Sequence, residues 1–454
     1  MRRKFHLLRR KNLNPTRIVA GSFAGLILLG TILLCLPAAS RDGQSAGIFT
    51  SLFTATSATC VTGLSLVETA VQWSGFGQVV LLCLIQLGGL GFISLITLVS
   101  LLVRRRIGLS ERLIMVSTFN LSDLSGVVRL VRYTLLWTLI FESGGALLLA
   151  TRFIPRFGWG KGLWFSIFHS VSAFCNAGFD LLGEDIPGQS VAAFSGDPVV
   201  MITLMLLIVI GGLGFFVWME LREKRRFRAL SLYSKLVLVL TGGFILLGAA
   251  AILAVEYHNP ATLGEMPLWK KILNAFFQSV TFRTAGFASF GQAGLRDSSM
   301  ALGTVLMLIG GSSGSTAGGI KTVTVGLLVL GLWAGLRGRN EVTLRGRSVS
   351  QRQLNNAMTL TLTVIFLFFG GSMFVSLLDG IPFLSAGFEV ASALGTVGLS
   401  VGVLSQMSLA SQTMLILFMY LGRVGILSFS IAFVMGRRKA DSKIKYPSTN
   451  MMIG

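Results

Sequence analysis

Apolar residues along this chain gather into long runs joined by short polar connections. Eight runs have the roughly 20 residues that a helix needs to cross a hydrocarbon core: Ile18 to Leu36, Val79 to Val103, Leu130 to Ala150, Val199 to Met219, Leu236 to Val255, Leu302 to Leu336, Met358 to Leu378 and Leu409 to Met435. Within each successive pair lies a shorter apolar segment: Ile48 to Thr59, Leu163 to Phe174, Lys271 to Phe282 and Phe383 to Leu394. At about 12 residues, these suit half-membrane re-entrant helices better than spans. No connection is long enough to hide a soluble domain. The expected fold is an all-α membrane protein of four tandem span, pore-helix, filter, span repeats, with eight spans and four re-entrant pore helices around a pseudo-fourfold pore. The expected repeat boundaries are 1–106, 107–228, 229–346 and 347–454.

Each short segment runs into a glycine with similar neighbours: Cys60-Val61-Thr62-Gly63-Leu64, Cys175-Asn176-Ala177-Gly178-Phe179, Arg283-Thr284-Ala285-Gly286-Phe287 and Gly395-Thr396-Val397-Gly398-Leu399. The glycines are 115, 108 and 112 residues apart, a repeat of about a quarter of the chain. Non-helical backbone at membrane depth is tolerable only inside protein or beside a water-filled path. A glycine there takes positive φ and lets successive carbonyls face one axis, where they replace the hydration shell of a monovalent cation. One such tripeptide means little, since glycine in membrane helices usually signals close packing. Four at even spacing, each between a half-length helix and a span, predict a ring.

Composition agrees with a membrane-embedded chain: 53% hydrophobic and 13% charged residues, with a mean hydropathy of +0.75. The formal net charge of +21 matters through its distribution. On the eight-span topology the N-terminus carries 7 lysines and arginines, the three connections between repeats 6, 6 and 5, and the C-terminal tail 5, so 29 of the 39 fall on one side. The opposite side has 7: Arg41, Arg152, Arg156, Lys161, Lys270, Lys271 and Arg296. The positive-inside rule makes the richer side, and both termini, cytoplasmic. The glycine motifs then face outward. The first apolar run lacks a small-residue cleavage site and reads as a retained span. Basic runs such as Arg104-Arg105-Arg106 and Lys224-Arg225-Arg226 read as topology signals and contacts with anionic lipid. Docking of a cytoplasmic partner is the next reading, and nucleic-acid binding ranks last. Because each repeat has an even number of spans, all four share one orientation and can surround an axis along the membrane normal.

A second motif recurs in step with the first: Leu87-Gly88-Gly89-Leu90-Gly91, Ile210-Gly211-Gly212-Leu213-Gly214, Ile309-Gly310-Gly311-Ser312-Ser313 and Leu421-Gly422-Arg423-Val424-Gly425. It begins 25, 33, 24 and 24 residues after the respective filter glycine, with extra residues in the second outer loop. In repeats one and two its glycines suit helix packing or bending. In repeat three the stretch Gly310-Gly311-Ser312-Ser313-Gly314-Ser315-Thr316-Ala317-Gly318-Gly319-Ile320-Lys321 is too small and polar for a lipid-facing helix and is expected to break the span. Lying beneath the outer filter, it reads as an intramembrane gate, against the plainer reading of a kinked packing surface. Lys321 and Arg423 are charges at depth, where a partner or cavity is required. Arg423 either bonds the gate backbone or repels cations, and Lys321 either serves the gate or snorkels to the interface.

Other chemistry is thin. Cys35, Cys60, Cys83 and Cys175 have no C-x-x-C spacing, and His6, His169 and His258 are scattered, so no metal, disulfide or acid–base cluster is indicated. No G-x-x-x-x-G-K-[ST] phosphate loop is present, so the chain carries no nucleotide site of that kind.

With both motifs placed, the whole chain resembles the Trk/Ktr/HKT superfamily of potassium transporters, and within it the KtrB-like membrane subunits. The resemblance rests on the four filter segments, the broken third-repeat span from Gly310 to Lys321, and Arg423. It implies ion-binding filter positions at Cys60, Val61, Thr62 and Gly63; Cys175, Asn176, Ala177 and Gly178; Arg283, Thr284, Ala285 and Gly286; and Gly395, Thr396, Val397 and Gly398. It also implies a bacterial plasma membrane location, a homodimer, and a separate cytoplasmic ring of nucleotide-binding RCK subunits. Potassium is the implied substrate, with no cofactor in this chain and sodium a candidate co-ion. Sodium-preferring plant members look to carry serine at the first filter glycine, so Gly63 points to potassium. The remaining rival is a sodium- or proton-coupled secondary transporter, for which Glu142 is the clearest mid-span carboxylate. A helix–helix hydrogen bond explains Glu142 equally well.

Overall fold

The computed structural model describes residues 15–91, 127–184, 190–339, 341–344 and 347–425. The basic N-terminus, the connection containing Arg104 to Arg106, the inner end of the Val79 to Val103 run and the tail after residue 425 lie outside it.

The long helices are α1 (Pro15–Leu34), α4 (Val127–Phe157), α8 (Leu232–Glu256) and α12 (Gln351–Asp379), each long and apolar enough to cross a membrane. They expose leucines and aromatics outward, such as Leu147, Leu247, Phe366 and Leu377, which in water would be costly and in lipid are not. The half-length helices α2 (Ile48–Thr59), α5 (Trp159–Phe174), α9 (Leu268–Thr281) and α13 (Phe383–Gly395) are largely buried. The second apolar run of each pair begins as α3 (Gly75–Leu90), α6 (Pro198–Leu213), α10 (Asp297–Leu308) and α14 (Leu409–Val424). Caps set three of these starts: Ser74 accepts from the Gly77 N–H, Asp197 from those of Val199 and Val200, and Ser408 from that of Ser411.

These second runs are not the continuous helices that their hydropathy predicts. In three of the four the helix stops at a glycine with positive φ: Gly91 (+80°), Gly214 (+94°) and Gly425 (+92°). After Gly214 the chain restarts as α7 (Phe215–Lys224), bent from α6 by 94°. In the third run α10 ends at Leu308 and α11 (Thr322–Leu336) begins beyond a non-helical excursion. Left-handed backbone cannot continue an α-helix, and glycine adopts it without a side-chain penalty. The all-α expectation needs one small amendment, an antiparallel ribbon of Thr343–Leu344 with Arg347–Ser348 before α12.

Helix contacts run in a closed cycle. Each long helix packs on the half-length helix that follows it: α1 on α2, α4 on α5, α8 on α9 and α12 on α13. Each second-run helix packs on the half-length helix of the next quarter: α3 on α5, α6 on α9, α10 on α13, and α14 back on α2. The C-terminal ends of all four half-length helices are thereby brought together.

Candidate functional site

The four glycine segments leave their half-length helices with one shared backbone pattern. Two residues before the glycine, Val61, Asn176, Thr284 and Thr396 take left-handed φ of 57°, 61°, 71° and 52°, and Gly63, Gly178, Gly286 and Gly398 take 95°, 68°, 79° and 95°. Val61, Thr284 and Thr396 are β-branched residues for which this conformation is strained.

The segments close into a ring. A Cβ placed on Gly63 would meet the Ala177 carbonyl oxygen; on Gly178, that of Ala285 at 2.7 Å; on Gly286, that of Val397 at 2.5 Å; and on Gly398, that of Thr62. Each of these four glycines thus leaves its missing side chain's space to a carbonyl of the next segment, cyclically and in chain order. The preceding residue's N–H anchors three segments to their helices: Thr62 N–H to Ser57 O at 2.8 Å, Ala177 to Ser172 O at 2.7 Å and Val397 to Ser392 O at 2.8 Å. Ala285 instead bonds Thr281 O at 3.0 Å, one residue later, where the third helix has Val280 in place of serine.

Two residues absent from the sequence-based selection hold the ring directly. The Oγ atoms of Ser57 and Ser392 accept the N–H groups of Gly63 and Gly398, each at 3.0 Å. The signal was available, since serine stands six residues before the glycine in three of the four segments, at Ser57, Ser172 and Ser392.

The first position of each selected segment turns into the surrounding protein. Cys60 joins an apolar cluster with Leu64 and Phe418, the Cys175 thiol lies 3.5 Å from Gln86 Oε1, and Gly395 abuts the Met307 carbonyl. Arg283 donates to Thr241 O at 3.4 Å and to Gly310 O at 3.3 Å, so its guanidinium ties the third segment to the start of the excursion beneath it. Glu142 accepts from Gln86 Nε2 at 3.1 Å, the helix–helix bond that was one of its two readings.

The stretch from Gly310 to Lys321 is the expected break, closed at its base by Gly310 N–H to Ile320 O at 2.9 Å and Ile320 N–H to Leu308 O at 3.0 Å. Its interior bonds outward: Ser312 N–H to Gly212 O (3.0 Å), Thr316 N–H to Gly211 O (3.2 Å), and the Thr316 hydroxyl to Phe174 O (3.2 Å). Gly314 O accepts from Phe215 N–H at 2.9 Å and Ser313 O from the Tyr233 hydroxyl at 3.1 Å. Thr316 also lies 3.3 Å from Asn176 Oδ1, and a Cβ on Gly318 would strike Thr396, so the excursion abuts the ring from repeats two and four. Ala317 and Gly318 offer their carbonyls to Lys321 Nζ at 2.7 and 3.4 Å; this lysine serves the loop itself. Arg423 donates to Thr316 O, to Gly88 O at 2.5 Å and to Gly89 O at 2.7 Å. On the far side of the excursion lies a cavity of about 500 Å³, bordered by Ser315, Ala317, Lys321, Arg423, Gln353 and Asn356.

The chain has relatives among known proteins. The cation transport protein family TrkH matches residues 9–442. The chain belongs to the TrkH family of cation transport proteins. It is 39% identical over 449 residues to the potassium/sodium uptake protein NtpJ of Enterococcus hirae, covering 98% of both chains. It is 37% identical over 443 residues to the Ktr system potassium uptake protein B of Bacillus subtilis, covering 97% of both. Among solved structures, the potassium transporter TrkH of Vibrio parahaemolyticus superposes with a TM-score of 0.73 at 18% identity, over 95% of this chain and 86% of that one, a likeness of fold. Membership makes this TrkH-family chain a cation transporter rather than an enzyme.

Proposed function

We propose that this chain is the pore-forming subunit of a potassium uptake system in a bacterial plasma membrane. It is read as four repeats bounded at residues 106, 228 and 346, with eight spans and both termini cytoplasmic. Potassium enters from outside, sheds water against the carbonyls of the segments ending at Gly63, Gly178, Gly286 and Gly398, passes the Gly310 to Lys321 loop when that loop yields, and leaves through the cavity beneath it. The observation that carries this reading is the cyclic fit of each glycine against the next segment's carbonyl. A ring of that kind serves cation dehydration and has no task in a packing-only role. An inside-negative potential supplies about 2.3 kcal/mol per charge per 100 mV, so transport needs no ATP hydrolysis by this chain.

The curated relatives named for potassium uptake support the substrate, and a relative named for both potassium and sodium keeps sodium as a candidate co-ion. A homodimer under control of a cytoplasmic RCK-type nucleotide-binding ring completes the proposal, resting on the family resemblance. The test is ⁸⁶Rb⁺ uptake into liposomes under an imposed inside-negative potential, with K⁺ and Na⁺ as competitors, for the native chain and Gly63→Ser. Potential-driven uptake competed by K⁺ over Na⁺, with that preference weakened in Gly63→Ser, is the expected result. Flux that ignores the potential, follows a proton gradient and is indifferent to Gly63 would overturn it in favour of a coupled transporter.

A further inference from the structure

Glu389 sits in the middle of α13, fully buried, and the conduction reading above gives it no task. Its Oε1 accepts the Ser400 hydroxyl at 2.6 Å and the Val401 N–H at 3.0 Å. Its Oε2 is buried with no hydrogen-bond partner among the described residues. A carboxylate in this setting costs stability, so packing does not account for it.

Position does. Glu389 stands nine residues before Gly398, and Val401 three after it. His169 stands nine residues before Gly178, and its Nε2 accepts the N–H of Leu181, three after that glycine, at 3.3 Å. Nδ1 of the same ring faces Phe165 O at 2.6 Å, a pairing that makes Nδ1 the donor and leaves Nε2 free to accept. Two chemically different side chains therefore make the same cross-link, from half-length helix to outgoing strand, in repeats two and four. The ring order puts those repeats opposite each other. Repeats one and three carry Thr54 and Phe277 at this position, and among the described residues neither bonds the matching strand.

In the fourth segment the two anchors act in series. Ser392 grips Gly398 N–H at 3.0 Å, and Glu389 grips Val401 N–H and the Ser400 hydroxyl. Beyond this point the chain turns at Gly402, with φ +88°. The strand from Gly398 to Val401 is held at both ends by one helix.

We propose that Glu389 is a positioning residue that sets ion specificity: through Val401 N–H and the Ser400 hydroxyl it fixes the outer end of the fourth filter segment, as His169 does across the ring. Discrimination between cations depends on the width of the carbonyl ring and on the number and field strength of the carbonyls that reach the ion, and an anchor on the segment's outer end bears on both. The inference rests on the conduction reading.

The test uses the full chain in liposomes, with ⁸⁶Rb⁺ uptake driven by potential and K⁺ and Na⁺ as competitors. Glu389→Gln keeps an acceptor oxygen at the same reach and should keep the native K⁺ preference. Glu389→Leu removes the acceptor and Glu389→Asp shortens its reach by one methylene. Each should lower the K⁺ over Na⁺ preference by at least about fivefold, the effect of losing one of the two hydrogen bonds that Glu389 accepts, with maximal uptake largely retained. A native preference in Glu389→Asp or Glu389→Leu would overturn the inference. So would a loss in Glu389→Gln equal to that in Glu389→Leu, which would assign the effect to charge. Absence of potential-driven uptake by the native chain would instead remove the conduction reading on which the inference stands.

Discussion

Replacing Arg423 with alanine should raise basal cation flux. The guanidinium is anchored by Gly88 O and Gly89 O at 2.5 and 2.7 Å, and from that base it donates to Thr316 O in the polar excursion. If the excursion moves aside to let ions pass, only the Thr316 bond need break, since the other two acceptors belong to the end of α3. A hydrogen bond from a charged donor contributes about 1.5 to 3 kcal/mol. Its loss shifts the closed-to-open ratio by roughly 10-fold to 100-fold, at about 1.4 kcal/mol per factor of ten. The assay is ⁸⁶Rb⁺ uptake by the reconstituted chain with no partner subunit present, normalised to incorporated protein. Arg423→Lys separates tether from charge: lysine keeps the positive charge but lacks the planar fork that reaches three carbonyls, so flux should rise here too. Unchanged flux in Arg423→Ala would refute the tether. A rise in Arg423→Ala alone, with Arg423→Lys like the native chain, would show that the residue acts by repelling cations in the path.

Tyr233→Phe removes only the hydroxyl bond to Ser313 O at 3.1 Å, about 1 kcal/mol for a neutral pair, and should raise basal flux about fivefold in the same assay. Because Tyr233 and Arg423 hold different residues of the excursion, their effects should multiply in the double variant, and a double variant no faster than Arg423→Ala alone would contradict this. Ser57→Ala and Ser392→Ala each leave a filter glycine N–H without its 3.0 Å acceptor. Each should lower the K⁺ over Na⁺ preference by a factor of about 5 to 10, read from competition of ⁸⁶Rb⁺ uptake. Ser51→Ala, on the same helix but with an Oγ that makes no bond among the described residues, should leave it unchanged.

The broken third run places the Gly310 to Lys321 excursion beside the four glycine segments. The excursion shares hydrogen bonds with Gly211, Gly212, Phe174 and Phe215, with Tyr233 and Arg283, and with Arg423. It is therefore held by groups near the ring and can be loosened by whatever shifts α7 or α14. The 94° bend at Gly214 aims α7 away from the line of α6, and Phe215, its first residue, bonds the excursion. Displacement of α7 thus acts on the loop through one peptide group.

Much was fixed by covalent pattern alone. Apolar runs of about 20 residues become helices in lipid because a helix satisfies its backbone hydrogen bonds within the one segment. The even spacing of Gly63, Gly178, Gly286 and Gly398 announced a four-part ring, and the small, polar composition from Gly310 to Lys321 announced a break. Those signals are local, and local chemistry enforces them. Other features depended on neighbours distant in the chain. Val61, Thr284 and Thr396 are β-branched and carry no local signal for left-handed backbone, yet take left-handed φ because the helix behind and the segment beside them over-determine their conformation. Where the Arg283 side chain goes could not be read locally, since its acceptors are supplied by Thr241 and Gly310. Gly214 read as a glycine for helix packing or bending; that it makes a 94° bend, with the Gly310 to Lys321 excursion lying against it, is visible only in the tertiary structure. Composition states what a segment can tolerate; which carbonyl finds which donor is settled only when all four quarters close on one another.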